Sequence, residues 1–173
     1  GVGGVSVLKE IAKVLPNESI FYFGDAKNAP YGDRPQEEIA QLSLANADYL
    51  FSKGVKALVI ACNTATSSGA DLIREKYPDR IVLGIEPAIK PAVEDHPGED
   101  ILVMATTGTL KLGKFQKHMD ELKDQANLIA IPCPGLMDLV EQEDMQNPAI
   151  DELLEKYIGE YRGRAKAVVL GCT

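Results

Sequence analysis

The chain has 173 residues, of which 45% are hydrophobic and 25% are charged, a composition typical of a globular protein with one medium domain or two small ones. Its formal net charge of −8 argues against nucleic acid as a partner, because phosphate binding requires clustered lysine and arginine. No apolar run approaches the roughly 20 residues that a membrane span needs, so we expect no membrane partner either.

Six short apolar runs predict buried strands. They are rich in valine, isoleucine and leucine without clean alternation, as expected for parallel strands that are covered on both faces. The runs cover residues 19–24, 57–62, 81–85, 100–105, 127–131 and 167–171. Helical periodicity lies between them, at residues 36–53, 64–77 and 114–123, and again after Asn147, a cap residue followed by Pro148. The alternation predicts an α/β fold with a mainly parallel sheet.

A cluster of prolines, glycine and charges at residues 91–100 predicts a boundary between two related lobes, 1–90 and 91–173. Three predicted strands precede this cluster and three follow it. Ligands of open parallel sheets bind beyond the carboxyl ends of strands. Cys62 and Cys172 follow such ends, one in each lobe, so we expect an active site in the cleft between the lobes.

Two glycine-containing segments offer backbone N–H groups. GVGG at residues 1–4 precedes a predicted helix and either binds an anion or simply starts that helix. The loop of residues 24–35 follows a predicted strand, where Tyr31 and Gly32 either donate N–H groups to a ligand or belong to a solvated connection. In the second case, a solvated connection, Asp25 and Arg34 would pair on the surface.

The three cysteines are an odd number without the spacing of a disulfide framework, which predicts reduced thiols in a cytosol. Cys133, between two prolines, is interpreted as structural. Cys62 precedes Asn63 and Thr64 at a predicted helix start, a position that stabilises a thiolate. The cysteines and the two histidines lack the paired spacing of metal ligands, so no metal is expected.

A fourth candidate segment, TTGTL at residues 106–110, follows a predicted strand. Thr107 and Thr109 either bind a carboxylate through hydroxyl and N–H groups or belong to an ordinary helix cap at Thr106 or Thr107.

Taken in chain order, several of these segments resemble glutamate racemases, in the cofactor-independent Asp/Glu racemase superfamily. The matching stretches are GVGGVSVLKEI, GDAKNAPYGDRP, VIACNTAT, IEPA, ATTGT, CPGLMDLVE and VLGCT, and together they cover essentially the whole chain. The resemblance implies two α/β lobes and interconversion of L- and D-glutamate without a cofactor. It also implies a bacterial cytoplasmic enzyme that supplies D-glutamate for peptidoglycan, and hence for cell-wall biogenesis and cell shape, and it makes a homodimer possible.

The resemblance also assigns residues. Cys62 and Cys172 match the two acid/base thiols. The matching substrate contacts are Tyr31, Gly32, Asn63, Thr64 and Thr173, with Thr107 and Thr109 as further carboxylate contacts. The alternatives are a racemase of aspartate or a related amino acid, and a non-catalytic fragment that binds an acidic amino acid.

The family pattern carries an Asp-Ser pair directly before GVGG and a histidine directly after GCT. This chain begins after the first and stops before the second. We therefore expect a first lobe without its first strand and C-terminal return segment, and a second lobe without its C-terminal part. We also expect these 173 residues alone to be inactive or nearly so.

Overall fold

The structure, a computed structural model, describes residues 1–32 and 34–173. Its contacts divide the chain into two compact units. The first comprises Gly1–Ile85 together with Thr173, and the second comprises Glu86–Cys172. Residues 86–90, which the sequence prediction assigned to the first lobe, thus make their contacts in the second unit.

The first unit contains three helices and two strands in its described residues. They are α1 (Val2–Val14), α2 (Gln36–Ser52), β1 (Ala57–Ile60), α3 (Asn63–Lys76) and β2 (Ile81–Gly84). The two strands pair in parallel, from Ala57 opposite Ile81 to Ile60 opposite Gly84. A parallel pair needs a crossover connection, and α3 provides it.

Helices α2 and α3 pack on each other and supply the core of the first unit. Apolar residues recur on α2 at the spacing of one helix face and meet the inward side chains of both strands. The core cluster is Ala47, Leu50, Phe51, Leu58, Ile73 and Val82. The helices approach closely at Gly69, where a Cβ atom would lie 2.7 Å from the Cβ of Ser43.

The strand predicted at residues 19–24 is wrong. This segment forms neither strand nor helix, and the side chains from Ile20 to Phe23 are exposed. The rings of Phe21 and Phe23 contact Tyr49 of α2, with centroids 6.3 and 5.3 Å apart, but no described strand pairs with the backbone. An apolar run predicts a tendency to be buried, whereas a strand also requires a partner for its N–H and C=O groups.

The described residues cover the two strands of the first unit on one face only, which differs from the expectation for strands of this sheet. Leu58 and Val82 are buried, while Val59, Ile81 and Leu83 point to the other face and are exposed. The burial therefore alternates with the two-residue period of a strand.

The second unit contains a three-stranded sheet with helices around it. Its elements are α4 (Ile89–Asp95), β3 (Asp100–Ala105), α5 (Thr107–Lys111), α6 (Gly113–Leu122), β4 (Asn127–Pro132), α7 (Leu136–Glu141), α8 (Pro148–Ile158), a 3₁₀ turn (Gly159–Tyr161) and β5 (Ala167–Leu170). The strand order is β4-β3-β5 and both pairings are parallel. The Asn147 side chain accepts a hydrogen bond from Ala149 N at 3.1 Å, which confirms the predicted cap of α8.

Both faces of the central strand β3 are covered. Ile101 and Val103 pack into one cluster with Val93, Phe115 and Val169, among others. Leu102 and Met104 pack into a second cluster with Ile131 and side chains of α8. The predicted α/β fold with parallel sheets flanked by helices is confirmed.

Candidate functional site

Cys62 lies between strand β1 and helix α3, as its N-cap residue. Its Sγ accepts a hydrogen bond from Ala65 N at 3.5 Å, and its backbone is extended. The side chain is partly buried. The predicted helix start after Cys62 is therefore confirmed, and the thiol lies at the N-terminus of a 14-residue helix, where it accepts one first-turn N–H group.

Asn63 and Thr64 follow as the first two residues of α3, and both are buried. Asn63 is only 5% exposed. Its Nδ2 donates a hydrogen bond to Thr173 Oγ1 at 3.3 Å, whereas its Oδ1 is buried without a partner among the described residues. An unmade hydrogen bond at such a buried acceptor costs about 1–3 kcal/mol, so the position is suited to a donor that arrives from outside.

The backbone of Thr173 lies directly against Gly3. A Cβ atom on Gly3 would lie 1.8 Å from the carbonyl oxygen of Thr173, a distance that no side chain tolerates. Gly3, the second glycine of GVGG, is therefore required for the observed placement of Thr173. Because Thr173 contacts Asn63, the GVGG segment shapes the surroundings of Asn63 in addition to starting α1.

The loop that carries Tyr31 and Gly32 is fixed by a side-chain network. The Tyr31 hydroxyl donates to Asp25 Oδ2 at 2.5 Å and accepts from Asn46 Nδ2, in α2, at 3.0 Å. Asn28 Nδ2 donates to Asp25 Oδ1 at 2.8 Å. These hydrogen bonds connect the turn after residue 24 with the middle of α2.

The expected pairing of Asp25 with Arg34 is wrong. Arg34 instead pairs with Glu38 and donates from Nε to the carbonyl oxygen of Asn28 at 2.8 Å. Asp25 has no need of a cation, because neutral donors already surround its carboxylate. For the backbone N–H groups of Tyr31 and Gly32, no acceptor is found among the described residues, although Gly32 is buried.

The electrostatics of this network keep a neutral phenol beside an ionised carboxylate. Burial raises the pKa of the Tyr31 hydroxyl, and the hydrogen bond to Asp25 raises it further. Burial pushes the pKa of Asp25 upward, but the hydrogen bonds that it accepts outweigh this effect and leave its pKa below the ordinary value.

In the second unit, Cys172 follows β5 and is exposed. Gly171 N donates to Met104 O at 2.6 Å and so continues the pairing with β3. A Cβ atom on Gly171 would lie 2.9 Å from Ala105 Cβ and 3.0 Å from Met104 O. Only glycine therefore brings the chain this close to β3 directly before the cysteine.

Cys133 differs from the other two cysteines. It is buried, its Sγ donates to Ile131 O at 3.3 Å, and burial raises the pKa of this thiol to about 11. A thiol that stays protonated and enclosed agrees with the structural role predicted for it.

The threonines after β3 form the cap of α5. Thr106 Oγ1 accepts a hydrogen bond from Thr109 N at 3.1 Å and donates one to Thr109 Oγ1 at 2.9 Å. Thr109 is 1% exposed, while Thr107 is partly buried. The predicted cap at Thr106 is confirmed, and contact of Thr107 and Thr109 with a carboxylate stays a prediction.

The first unit therefore joins Asn63 to Thr173 directly and also contains Cys62 and Tyr31, whereas Cys172, Thr107 and Thr109 belong to the second unit. Sequence reasoning missed Asn28 and Asn46, and it interpreted Asp25 only as a surface residue. Asp25 had a usable signal, because it follows a predicted strand in the segment that contains Tyr31. Asn46 had none, since a single asparagine within a helix has no diagnostic spacing.

Two further observations concern the described residues as a whole. They contain no group of three or more histidine, cysteine, aspartate or glutamate side chains placed to hold a metal ion. None of their helices combines the length and the apolar character that crossing a membrane requires.

Comparison with known proteins places the chain in a family. A family model described as Asp/Glu/Hydantoin racemase matches residues 3–173. The chain belongs to this racemase family. A glutamate racemase of Clostridium botulinum is 48% identical over the whole chain, which covers 67% of that relative. The resemblance to glutamate racemases is thus confirmed.

Solved structures of the racemase family have the same fold. Escherichia coli glutamate racemase, solved in complex with L-glutamate and the activator UDP-MurNAc-ala, matches 99% of this chain with a TM-score of 0.90 and 28% identity, over 66% of its own length. The Aquifex pyrophilus glutamate racemase matches all of this chain with a TM-score of 0.79 and 34% identity, over 68% of its own length. Among the curated racemases the chain spans about two thirds of the relative's length, from 63% to 67%.

Proposed function

We propose that the protein interconverts L- and D-glutamate and thereby supplies D-glutamate for peptidoglycan in the bacterial cytoplasm. Relatives named glutamate racemase, 43–48% identical over the whole chain, support this substrate. The structural observation that carries the proposal is the start of α3, where Cys62 precedes the buried Asn63 with its unpartnered Oδ1. A thiol that is followed by an amide oxygen open to an outside donor supports binding of an amino acid here.

In the proposed mechanism Cys62 and Cys172 act as an acid/base pair on the α carbon. A thiolate removes the Cα proton from one face and becomes a thiol, leaving a carbanion. The other thiol then delivers its proton to the opposite face and becomes a thiolate. By analogy with the family, Cys62 acts on D-glutamate and Cys172 acts on L-glutamate, and the roles exchange with the direction of reaction.

The substrate is held by polar groups of the chain and needs no net positive charge. Asn63, Thr64 and Thr173 contact it near Cys62, and the N–H groups of Tyr31 and Gly32 bind a carboxylate. Thr107 and Thr109 are further candidates for a carboxylate contact. Backbone N–H groups bind anions even on a protein of net charge −8, because the local dipoles act at short range.

The proposed reaction uses no cofactor. Without an electron sink, the carbanion next to the α-carboxylate must be stabilised by hydrogen bonds in a site that excludes water. Donors directed at the carboxylate oxygens serve this purpose, since negative charge moves onto those oxygens as the Cα proton leaves.

The test follows deuterium incorporation at Cα, using the full gene product in D₂O with each enantiomer of glutamate. The parent should racemise and label both. Cys62→Ser should lose about 10²–10⁴-fold in racemisation and incorporate deuterium into L-glutamate only. Cys172→Ser should show the mirror result, with deuterium entering D-glutamate only.

Cys133→Ala is the matched control, because it removes the third cysteine and should leave racemisation unchanged. If the Cys62 and Cys172 variants both racemise like the parent, the two-thiol mechanism is wrong. Faster exchange into aspartate than into glutamate would overturn the substrate assignment, and binding of glutamate without any exchange would favour the non-catalytic alternative.

A further inference from the structure

The hydroxyl of Tyr31 acts both as a donor and as an acceptor inside the protein. It donates to Asp25 at 2.5 Å and accepts from Asn46 at 3.0 Å. The proposed substrate contact of Tyr31 is its backbone N–H, so the proposed function leaves the hydroxyl and its two partners without a role.

Asn46 is the member of this network that comes from a regular element. It lies in the second half of the 17-residue helix α2, whereas Asp25 and Tyr31 both lie in the loop. Its Nδ2 also donates to Asp25 Oδ2 at 3.4 Å. The Asn46 amide therefore contacts both the donor and the acceptor of the Tyr31–Asp25 hydrogen bond.

Helix α2 is itself fixed against α3, the helix that begins beside Cys62. Their close approach at Gly69 and Ser43 is one contact. At the other end, Asp48 accepts from Lys76 Nζ at 2.8 Å and from the Tyr77 hydroxyl at 2.6 Å. Asn46 therefore connects the loop to the same pair of helices that positions the thiol.

We propose that Asn46 is a positioning residue that acts through the Tyr31 hydroxyl to hold the N–H groups of Tyr31 and Gly32 toward the substrate carboxylate. The inference rests on the proposed function. An anion site made from backbone N–H groups binds well only if those groups already point in the right direction, because ordering a loop at the moment of binding weakens affinity.

The kinetic test uses the full gene product as the parent and, within it, Asn46→Ala, Tyr31→Phe and the double variant. Each single variant should raise KM for glutamate by about 3–10-fold, the effect of one neutral hydrogen bond, and should leave kcat within about twofold, as expected for a loss of uniform binding. In the double variant KM should equal that of Tyr31→Phe alone, because Asn46 has lost the atom through which it acts.

Two further variants separate positioning from general stability. Asn46→Asp keeps the shape but places a second carboxylate beside Asp25, so KM should rise more than in Asn46→Ala. Asp48→Ala, two residues further along α2, removes the contacts with Lys76 and Tyr77. It should lower thermal stability and leave KM unchanged, because the close approach of α2 and α3 at Ser43 and Gly69 remains.

A readout without turnover distinguishes failure of this inference from failure of the proposed function. Amide hydrogen exchange at Tyr31 and Gly32, followed by NMR in the ligand-free protein, should accelerate in Asn46→Ala and in Tyr31→Phe, with no further acceleration in the double variant. An inactive parent that shows this pattern would overturn the racemase proposal alone. An active parent whose KM and amide exchange are insensitive to Asn46→Ala, or a double variant with additive effects, would overturn the positioning role.

Discussion

Replacing Asn63 by leucine should stabilise the ligand-free protein and weaken its binding of glutamate. Leucine has the same number and branching of side-chain heavy atoms as asparagine, so the change mainly removes polarity at a residue that is 5% exposed. The variant no longer buries the unpartnered Oδ1, and this should raise the free energy of unfolding by about 1–3 kcal/mol. It also loses the hydrogen bond to Thr173, and this should lower the free energy of unfolding by about 0.5–1.5 kcal/mol.

The difference between these two effects is about 1 kcal/mol in favour of the variant. For a protein of this size it corresponds to a rise of about 2–4 °C in Tm. Ligand binding should change in the opposite direction. A lost hydrogen bond to a charged ligand, about 1.5–3 kcal/mol, raises Kd by about 10–100-fold.

Thermal unfolding followed by circular dichroism, with and without glutamate, measures both effects. At a glutamate concentration of 100 times the parent Kd, the parent should gain about 2.7 kcal/mol. The variant should gain about 0.4–1.4 kcal/mol under the same conditions. Ser68→Ala is the matched control, because it removes a second buried oxygen of α3, here a hydroxyl oxygen, that has no partner among the described residues, and it should leave the gain from glutamate unchanged.

A fall in the Tm of ligand-free Asn63→Leu by more than about 2 °C would refute this reasoning. It would mean that Oδ1 has a partner in the free protein, so that the asparagine contributes to folding and is not held in readiness for a ligand.

Three other changes test separate parts of the structure. Gly3→Ala should raise KM for glutamate at least about 10-fold, because its Cβ would lie 1.8 Å from the carbonyl oxygen of Thr173. Gly113→Ala is the control, since open space surrounds that position, and it should leave KM unchanged. Equal kinetics in the two variants would contradict the steric argument. Since the pKa of Cys133 is raised to about 11, iodoacetamide at pH 8 should not alkylate this thiol in the folded protein. Mass spectrometry should find it alkylated as the pH approaches 11, or after the protein is unfolded in guanidinium. Ile101→Ala should lower the free energy of unfolding by about 2–5 kcal/mol. Ile81→Ala, at a side chain that is 60% exposed, should lower it by no more than about 0.5 kcal/mol. Urea denaturation measures both values, and similar losses would contradict the assigned core.

The sequence predicted strands best where burial and pairing coincide. Residues 100–105 form the central strand β3 with the predicted limits, because this segment is covered on both faces and paired on both edges. Residues 19–24 have a similar apolar composition but no described partner strand. The partner of a strand is a long-range property, and neither propensity nor periodicity encodes it.

The candidate site divides in the same way. Local patterns were enough to predict a helix start after Cys62 and a cap at Thr106, since both depend on residues within one turn. The contact of Asn46 with Tyr31 joins a helix to a loop 15 residues earlier, and the contact of Asn63 with Thr173 spans 110 residues. Such contacts follow from the packing of elements, which one sequence without a structure does not specify.

The face of β1 and β2 that the described residues leave exposed also affects how this chain of 173 residues behaves at high concentration. Its apolar side chains, Val59, Ile81 and Leu83, attract like faces on other molecules, while the net charge of −8 makes the molecules repel each other. The repulsion is screened beyond about 10 Å at 0.1 M salt and beyond about 3 Å at 1 M, whereas the attraction persists. Colloidal stability should therefore be highest in dilute buffer, and light scattering should rise with added sodium chloride well before any loss of secondary structure.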